Sequence, residues 1–263
     1  AMARRSDTVV IQSHRLPLPF DWLEPCLESV RTWAASRGYD YRFEDDAIFD
    51  RLDDDLRQKT KDQLVVASDL ARLAALQAAL DHGYGCAVWM DADMLVFDPD
   101  RLHLAPDDYA LGREVWVQRD GRGQLRSYVK VHNAFLQFRD GNPFLAFYRH
   151  AAERIVRAHV PGRMTPQIVG PKLLTALHNV IGCPVVEEAA MLSPAVACDL
   201  IAGDGPALAE FASRTRVGPA VVNLCGSLAG TDISAEDLRT LIRQLISGTA
   251  SRTLNALKHT LAR

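Results

Sequence analysis

No apolar run in this chain approaches the ~20 residues that cross a bilayer, so no transmembrane segment is expected. A surplus of positive charge is also missing. Lys and Arg number 30 against 33 Asp and Glu, a formal net charge of −3, which leaves no footprint for nucleic acid. The residues before Thr8 lead into a strand-like run rather than the apolar core of a signal peptide. The five cysteines (Cys26, Cys86, Cys183, Cys198, Cys225) are odd in number, scattered and without a CxxC pair. They read as free thiols in a reducing compartment, and a cytoplasmic protein is expected. Internal repeats, low-complexity tracts and linkers are absent from the 263 residues, so residues 1–263 are expected to form one domain. With 48% hydrophobic and 24% charged residues, there is material for a large core.

Thr8-Val9-Val10-Ile11-Gln12 reads as a first strand. Trp22, Leu23, Cys26, Leu27, Val30, Trp33 and Ala34 recur at helical spacing up to Gly38, and Asp40-Tyr41-Arg42-Phe43 reads as a second strand. Strand, helix, strand is how a nucleotide-binding α/β arrangement begins. The acidic stretch from Asp45 to Asp55 is expected to be a loop with a short helix. Thr60-Lys61-Asp62-Gln63 fits a capping box, and Leu64 to Leu80, nearly all Ala, Leu and Val, predicts a helix buried on all sides. Asp69 and Arg72 are its polar exceptions, one turn apart on one face.

Further on, Glu114–Gln118 and Ala134–Phe138 predict strands around a polar loop from Arg119 to Ser127. Pro143 to His159 predicts a helix with Phe144, Phe147, Ala151, Ile155 and Ala158 on its core face. A helix over Lys172–His178 and short strands at Val185-Val186 and Val221-Val222 follow. The tail predicts two amphipathic helices, Ser234–Ser247 and Ser251–Ala262, so that C-terminal helices fill about 234–262. Their mild basic bias (Arg239, Arg243, Arg252, Lys258, Arg263) is compatible with peripheral contact at an acidic membrane surface.

The densest chemical signal is Cys86 to Phe97, an apolar run interrupted only by Asp91 and Asp93. Between Gly85 and Asp98-Pro99 it reads as a buried strand, in which residues i and i+2 face the same way. Carboxylates at the end of a buried strand need compensation. A divalent cation gripped by both, together with substrate phosphates, is the expected solution, at the sheet edge where open α/β folds bind ligands. His14, His132 and His150 share no ligand spacing and are read as ordinary residues; Arg126 and Lys130 are read as a solvated face.

Several segments jointly resemble a known family: Ser68-Asp69-Leu70-Ala71-Arg72, the Gly83-Tyr84-Gly85 turn, Trp89-Met90-Asp91-Ala92-Asp93, His132-Asn133-Ala134-Phe135-Leu136, Asn142-Pro143-Phe144-Leu145 and Ile168-Val169-Gly170-Pro171-Lys172-Leu173-Leu174-Thr175. Their order is similar to that of the DxD-containing glycosyltransferases with a sugar-binding region. This GT-A-fold group includes a yeast α-1,6-mannosyltransferase, capsular polysaccharide transferases and clostridial glucosylating toxins. The resemblance implies a GT-A-like α/β domain with a mixed, mostly parallel sheet flanked by helices. It also implies transfer of a hexose, with retention, from a nucleotide-diphospho-sugar to a glycan, lipid or small-molecule acceptor. Mn²⁺ or Mg²⁺ would be the cofactor. On the same resemblance Asp93 ligates the metal, Asp91 binds ribose and sugar hydroxyls with a water-mediated metal contact, and Asp69, Arg72 and Asn133 hold the donor sugar. Gly170 lets backbone approach the donor. Asp91, Asp93 and Arg72 would carry catalysis.

This chain departs from the family near its C-terminus, where Val222-Asn223-Leu224-Cys225-Gly226-Ser227-Leu228 replaces a His followed by Gly-Ser-Trp. Asn223 is then the third metal position and Ser227 a donor contact. Two alternatives stay open: a non-enzymatic nucleotide-sugar binder of the same fold, and a phosphatase of the haloacid-dehalogenase type, whose Asp-x-Asp follows its first strand.

Overall fold

A computed structural model describes residues 6–254. In chain order these form β1 (Thr8–Ser13), α1 (Leu23–Ser36), β2 (Asp40–Glu44), α2 (Asp54–Thr60), α3 (Leu64–Asp81), β3 (Cys86–Met90), β4 (Met94–Val96), β5 (Tyr109–Arg119), β6 (Leu125–Arg139), α4 (Pro143–Ala158), α5 (Pro171–Ile181), β7 (Val185–Val186), β8 (Ala189–Met191), α6 (Pro194–Ala202), α7 (Pro206–Arg214), β9 (Val221–Asn223) and α8 (Ala235–Ile246). A 3₁₀ turn, Asp46–Arg51, fills most of the acidic loop, and another spans Gly226–Leu228. Residues 249–254 are helical; the rest of the last predicted helix lies outside the described residues.

Six strands form the main sheet in the order β2-β1-β3-β6-β5-β7. Only β6 runs against its neighbours, so the sheet is mixed and mostly parallel, as expected. Alternation along the strands sends Val10, Val88 and Met90 to the face that α1 covers with Val30, Trp33 and Ala34. The opposite set, Val9, Ile11, Ala87 and Trp89, packs against α3 and α4. Helices on both faces define an α/β layer architecture. A small second sheet, β4-β9-β8, packs with α6, α7 and α8 around Leu95, Val196, Phe211, Val222 and Leu241.

Four expectations are corrected. The run from Cys86 to Phe97 is two strands in two different sheets. β3 ends at Met90, residues 91–93 form a turn, and β4 begins at Met94 against β9. Strand alternation therefore does not set the directions of Asp91 and Asp93. The capping box fails because Thr60 is the last residue of α2 and donates its hydroxyl back to the Leu56 carbonyl (2.8 Å). Gln63 instead bonds the Met164 carbonyl (3.2 Å). The side-chain cap in this region is Asp53, which accepts from the Leu56 N–H at the start of α2. In α4 the buried stripe is Phe144, Leu145, Tyr148, Ala152 and Val156, one position away from the predicted face, and Phe147 is 52% exposed. The polar loop from Arg119 to Ser127 is shorter than expected: β5 and β6 pair as far as Arg119 and Leu125, leaving residues 120–124 as the turn.

No helix among the described residues is long and apolar enough to cross a membrane.

Candidate functional site

Strands β1, β2 and β3 are parallel, so their carboxyl ends share one edge of the sheet. Extending the β1/β3 register by two residues brings Asp91 level with Ser13, whose partner on β2 is Glu44. Antiparallel β6 delivers its middle to the same edge: Phe135 pairs with Met90, and the Asp91 N–H donates to the Ala134 carbonyl (2.9 Å). This edge is where parallel sheets leave room for ligands.

The first cluster is organised by Arg72 of α3, buried at 7% exposure. Its Nη1 donates to the Asn133 carbonyl (2.7 Å) and lies 3.0 Å from Asp91 Oδ1. Its Nη2 lies 3.3 Å from Asp69 Oδ1, one helical turn away. Asn133 Nδ2 donates to the same Asp69 oxygen (2.7 Å), and Trp89 Nε1 to Asp91 Oδ1 (2.7 Å). The Trp89 ring also stacks under the guanidinium, 5.2 Å from Cζ to ring centroid. Gln12 supports the turn by donating Nε2 to the Asp91 carbonyl (3.0 Å). Two carboxylates thus share one guanidinium. Asp69 Oδ2 is buried with no hydrogen-bond partner, an arrangement that costs stability unless a ligand supplies a donor.

Gly170, at the start of α5, closes against this cluster. A Cβ there would stand 2.6 Å from Asp69 Oδ2 and 2.8 Å from Asn133 Nδ2. Residues Asp69, Arg72, Asp91, Asn133 and Gly170, read from distant parts of the sequence, are therefore brought together.

Asp93 belongs to a second, adjoining cluster in the small sheet. Asn223 Nδ2 donates to its Oδ1 (2.6 Å) and the Gly226 N–H to its Oδ2 (2.7 Å). The Asn223 carbonyl oxygen accepts from the Cys225 N–H (2.8 Å), which fixes the amide's orientation. Cys225 sits at φ 52°, the left-handed region that costs a β-carbon residue strain. Ser227 is exposed, one residue beyond Gly226.

Burial pushes the Asp69 carboxyl up to about 6 in spite of Arg72 and Asn133. Enclosure, reinforced by the charge of Asp91, also raises Asp93. For Arg72 burial works against the charge, but Asp91 and Asp69 outweigh it and the group stays cationic.

The donor set was expected to suit a divalent ion. Such ions want several oxygen ligands, of which the protein gives one or two carboxylates. Here one Asp91 oxygen faces Arg72 and Trp89, both Asp93 oxygens already accept N–H groups, and Asn223 turns its amino group toward Asp93. No group of three His, Cys, Asp or Glu that could hold a metal exists among the described residues. As placed, these residues present no preformed set of ligands for a protein-held cation.

Sequence reasoning missed Gln12, Trp89 and Cys225, and set His132 aside. A polar residue ending an apolar strand was the available signal for Gln12. His132 is fully buried, its Nε2 on the Ala189 carbonyl (3.0 Å) and its Nδ1 accepting from the Ala134 N–H (3.1 Å), so the ring is held neutral. Burial lowers it to about 4. A folded value below the unfolded ~6.5 means the unfolded chain binds the proton first, so this stabilisation is present above pH 6.5 and is lost as pH falls toward 4. His132→Gln is expected to narrow its stability gap to wild type by about 2 kcal/mol between pH 7 and pH 5. Urea unfolding at both pH values checks this; a gap independent of pH would refute it.

No protein-family model matches the chain, and no curated protein matches it. Among solved structures it is similar to the crystal structure of a glycosyltransferase involved in the glycosylation of the major capsid of PBCV-1. The TM-score is 0.49 and the identity 12%, over 89% of this chain and 98% of that one. A likeness of that size decides nothing about activity.

Proposed function

We propose that the protein is a glycosyltransferase that moves a hexose from a nucleotide-diphospho-sugar to a hydroxyl acceptor on a glycan, lipid or small molecule. The observation that carries this reading is the unsatisfied Asp69 oxygen beside Asn133 and Asp91, all ordered by one buried guanidinium. Fixed carboxylate and amide groups are what a hydroxyl-rich ring needs, because each hydroxyl brings a donor to an oxygen otherwise left unpaired.

A cleft of about 680 Å³ at the carboxyl ends of β1 and β2 supports the nucleoside half of the donor. Its lining includes Leu16 and Phe43 for a base and Glu44, Asp45 and Asp50 for ribose hydroxyls. Transfer with retention completes the proposal. The acceptor oxygen bonds the anomeric carbon on the face the phosphate leaves, the carbon–phosphate-oxygen bond breaks, and the acceptor's proton passes to the departing phosphate.

Thermal-shift measurements with UDP- and GDP-hexoses, followed by product detection, test the reading. A nucleotide-sugar is expected to raise the melting temperature. Asp69→Asn, which keeps shape and removes charge, is expected to lower transfer at least ~100-fold with stability changed by under ~1 kcal/mol. Undiminished transfer by that variant, or hydrolysis of p-nitrophenyl phosphate in place of transfer, would defeat it.

A further inference from the structure

The geometry points to a donor site that works without a divalent ion held at Asp93: the Asn223 amide and the Gly226 N–H occupy the carboxylate oxygens such an ion would need, and Asp93 is a positioning residue for the turn at 223–226. The inference rests on the nucleotide-sugar reading above and concerns the same site.

The arrangement is closed from both ends. Asn223 could ligate a cation only through its carbonyl oxygen, which now accepts from the Cys225 N–H at 2.8 Å. Turning the amide over would give up that bond. It would also set the carbonyl oxygen where the amino group now lies, 2.6 Å from Asp93 Oδ1, oxygen against oxygen. Cys225 holds its left-handed backbone between these two bonds, and through it Gly226 aims its N–H at Asp93 Oδ2 (2.7 Å). A Cβ on Gly226 would stand 2.8 Å from the Trp22 ring and 3.1 Å from that same oxygen, so the turn is packed as well as bonded. One Asp91 oxygen is likewise taken, by Arg72 at 3.0 Å and by Trp89 Nε1 at 2.7 Å. Three hydrogen bonds and one ion pair thus engage three of the four carboxylate oxygens of the Asp-x-Asp pair, together with the Asn223 side-chain oxygen.

Two measurements on the full chain test this. In the first, free Mn²⁺ is followed by electron paramagnetic resonance as protein is added. Wild type is expected to leave the signal unchanged, whereas Asn223→His, which puts an imidazole lone pair beside Asp93, is expected to deplete it. In the second, calorimetry gives the affinity for UDP- and GDP-hexoses in EDTA and in excess Mn²⁺. The two values are expected to agree within about threefold. Asp93→Asn is expected to weaken binding several-fold by the same factor in both buffers, and to speed hydrogen exchange at the Gly226 amide.

Depletion of Mn²⁺ by wild type would overturn the inference. So would donor affinity at least ~10-fold tighter in Mn²⁺, with the gain lost in Asp93→Asn; either result leaves the transferase reading intact. Binding of no nucleotide-sugar in either buffer would overturn that reading, and this inference with it.

Discussion

Arg72→Ala is expected to cost ~3–5 kcal/mol of folding stability, the range for breaking a buried charge cluster by removing one partner. The guanidinium is the only cationic group whose contacts reach both Asp69 and Asp91 among the described residues. Its loss leaves Asp69, already raised to about 6 by burial, without a counter-charge. It also removes the donor to the Asn133 carbonyl on β6 and the cation resting on Trp89 of β3. Helix α3 would keep only the Asp69–Asn133 hydrogen bond as its polar link to β6. A drop in melting temperature of roughly 6–20 °C is the expected reading for a chain of this size. Adding Asp69→Asn should return part of the loss, because the two residues share one network and their effects are not additive. A cost under ~1 kcal/mol would mean that solvent already reaches the cluster.

Gly170→Ala is expected to produce a folded protein that has lost at least ~100-fold in kcat/KM, the scale of an ångström-level misplacement at a reacting site. The new methyl carbon would stand 2.6 Å from Asp69 Oδ2 and 2.8 Å from Asn133 Nδ2. Both side chains are short and buried, so neither can swing clear, and α5 or the cluster must shift. Gly182, at the other end of α5, supplies the contrast. It has φ +65° and nothing within 4 Å of a would-be Cβ. There, alanine is expected to cost about 1 kcal/mol of stability and leave transfer unchanged. Equal losses of activity at both positions would mean that Gly170 acts through the helix rather than through the site.

Much of the architecture was legible because local chemistry and tertiary context agree. The strands over Thr8–Gln12 and Asp40–Phe43 follow from β-rich composition and the helix between them from helical spacing up to Gly38, and the structure keeps all three. The cluster around Arg72 was legible for a different reason. Two charges in a helix otherwise made of Ala, Leu and Val must be compensated in space, whatever lies in between.

What was not legible depended on long-range pairing. Cys86 to Phe97 has the composition of one strand, and nothing local says that Met94–Val96 will leave the first sheet to pair with Val221–Asn223. The amide orientation of Asn223 is fixed by a turn two residues on, and a residue's identity does not carry that information. At Thr60 the pattern for a helix start was present, but the preceding helix claimed the residue as its end. In α4 the stripe slipped by one residue because Leu145, Tyr148, Ala152 and Val156 fit a core face as well as the set chosen.

The turn at residues 91–93 has one more implication. Asp91 is fastened to the six-stranded sheet through the Ala134 carbonyl and Gln12, whereas the Asp93 carbonyl accepts from Leu224 of the three-stranded one. Three residues therefore stitch two plates together, and the gap between the carboxylates follows any tilt of one plate against the other. A molecule spanning that seam would act as a strut, stiffening the joint as it bound. Cargo reaching only one side would leave the joint free to flex.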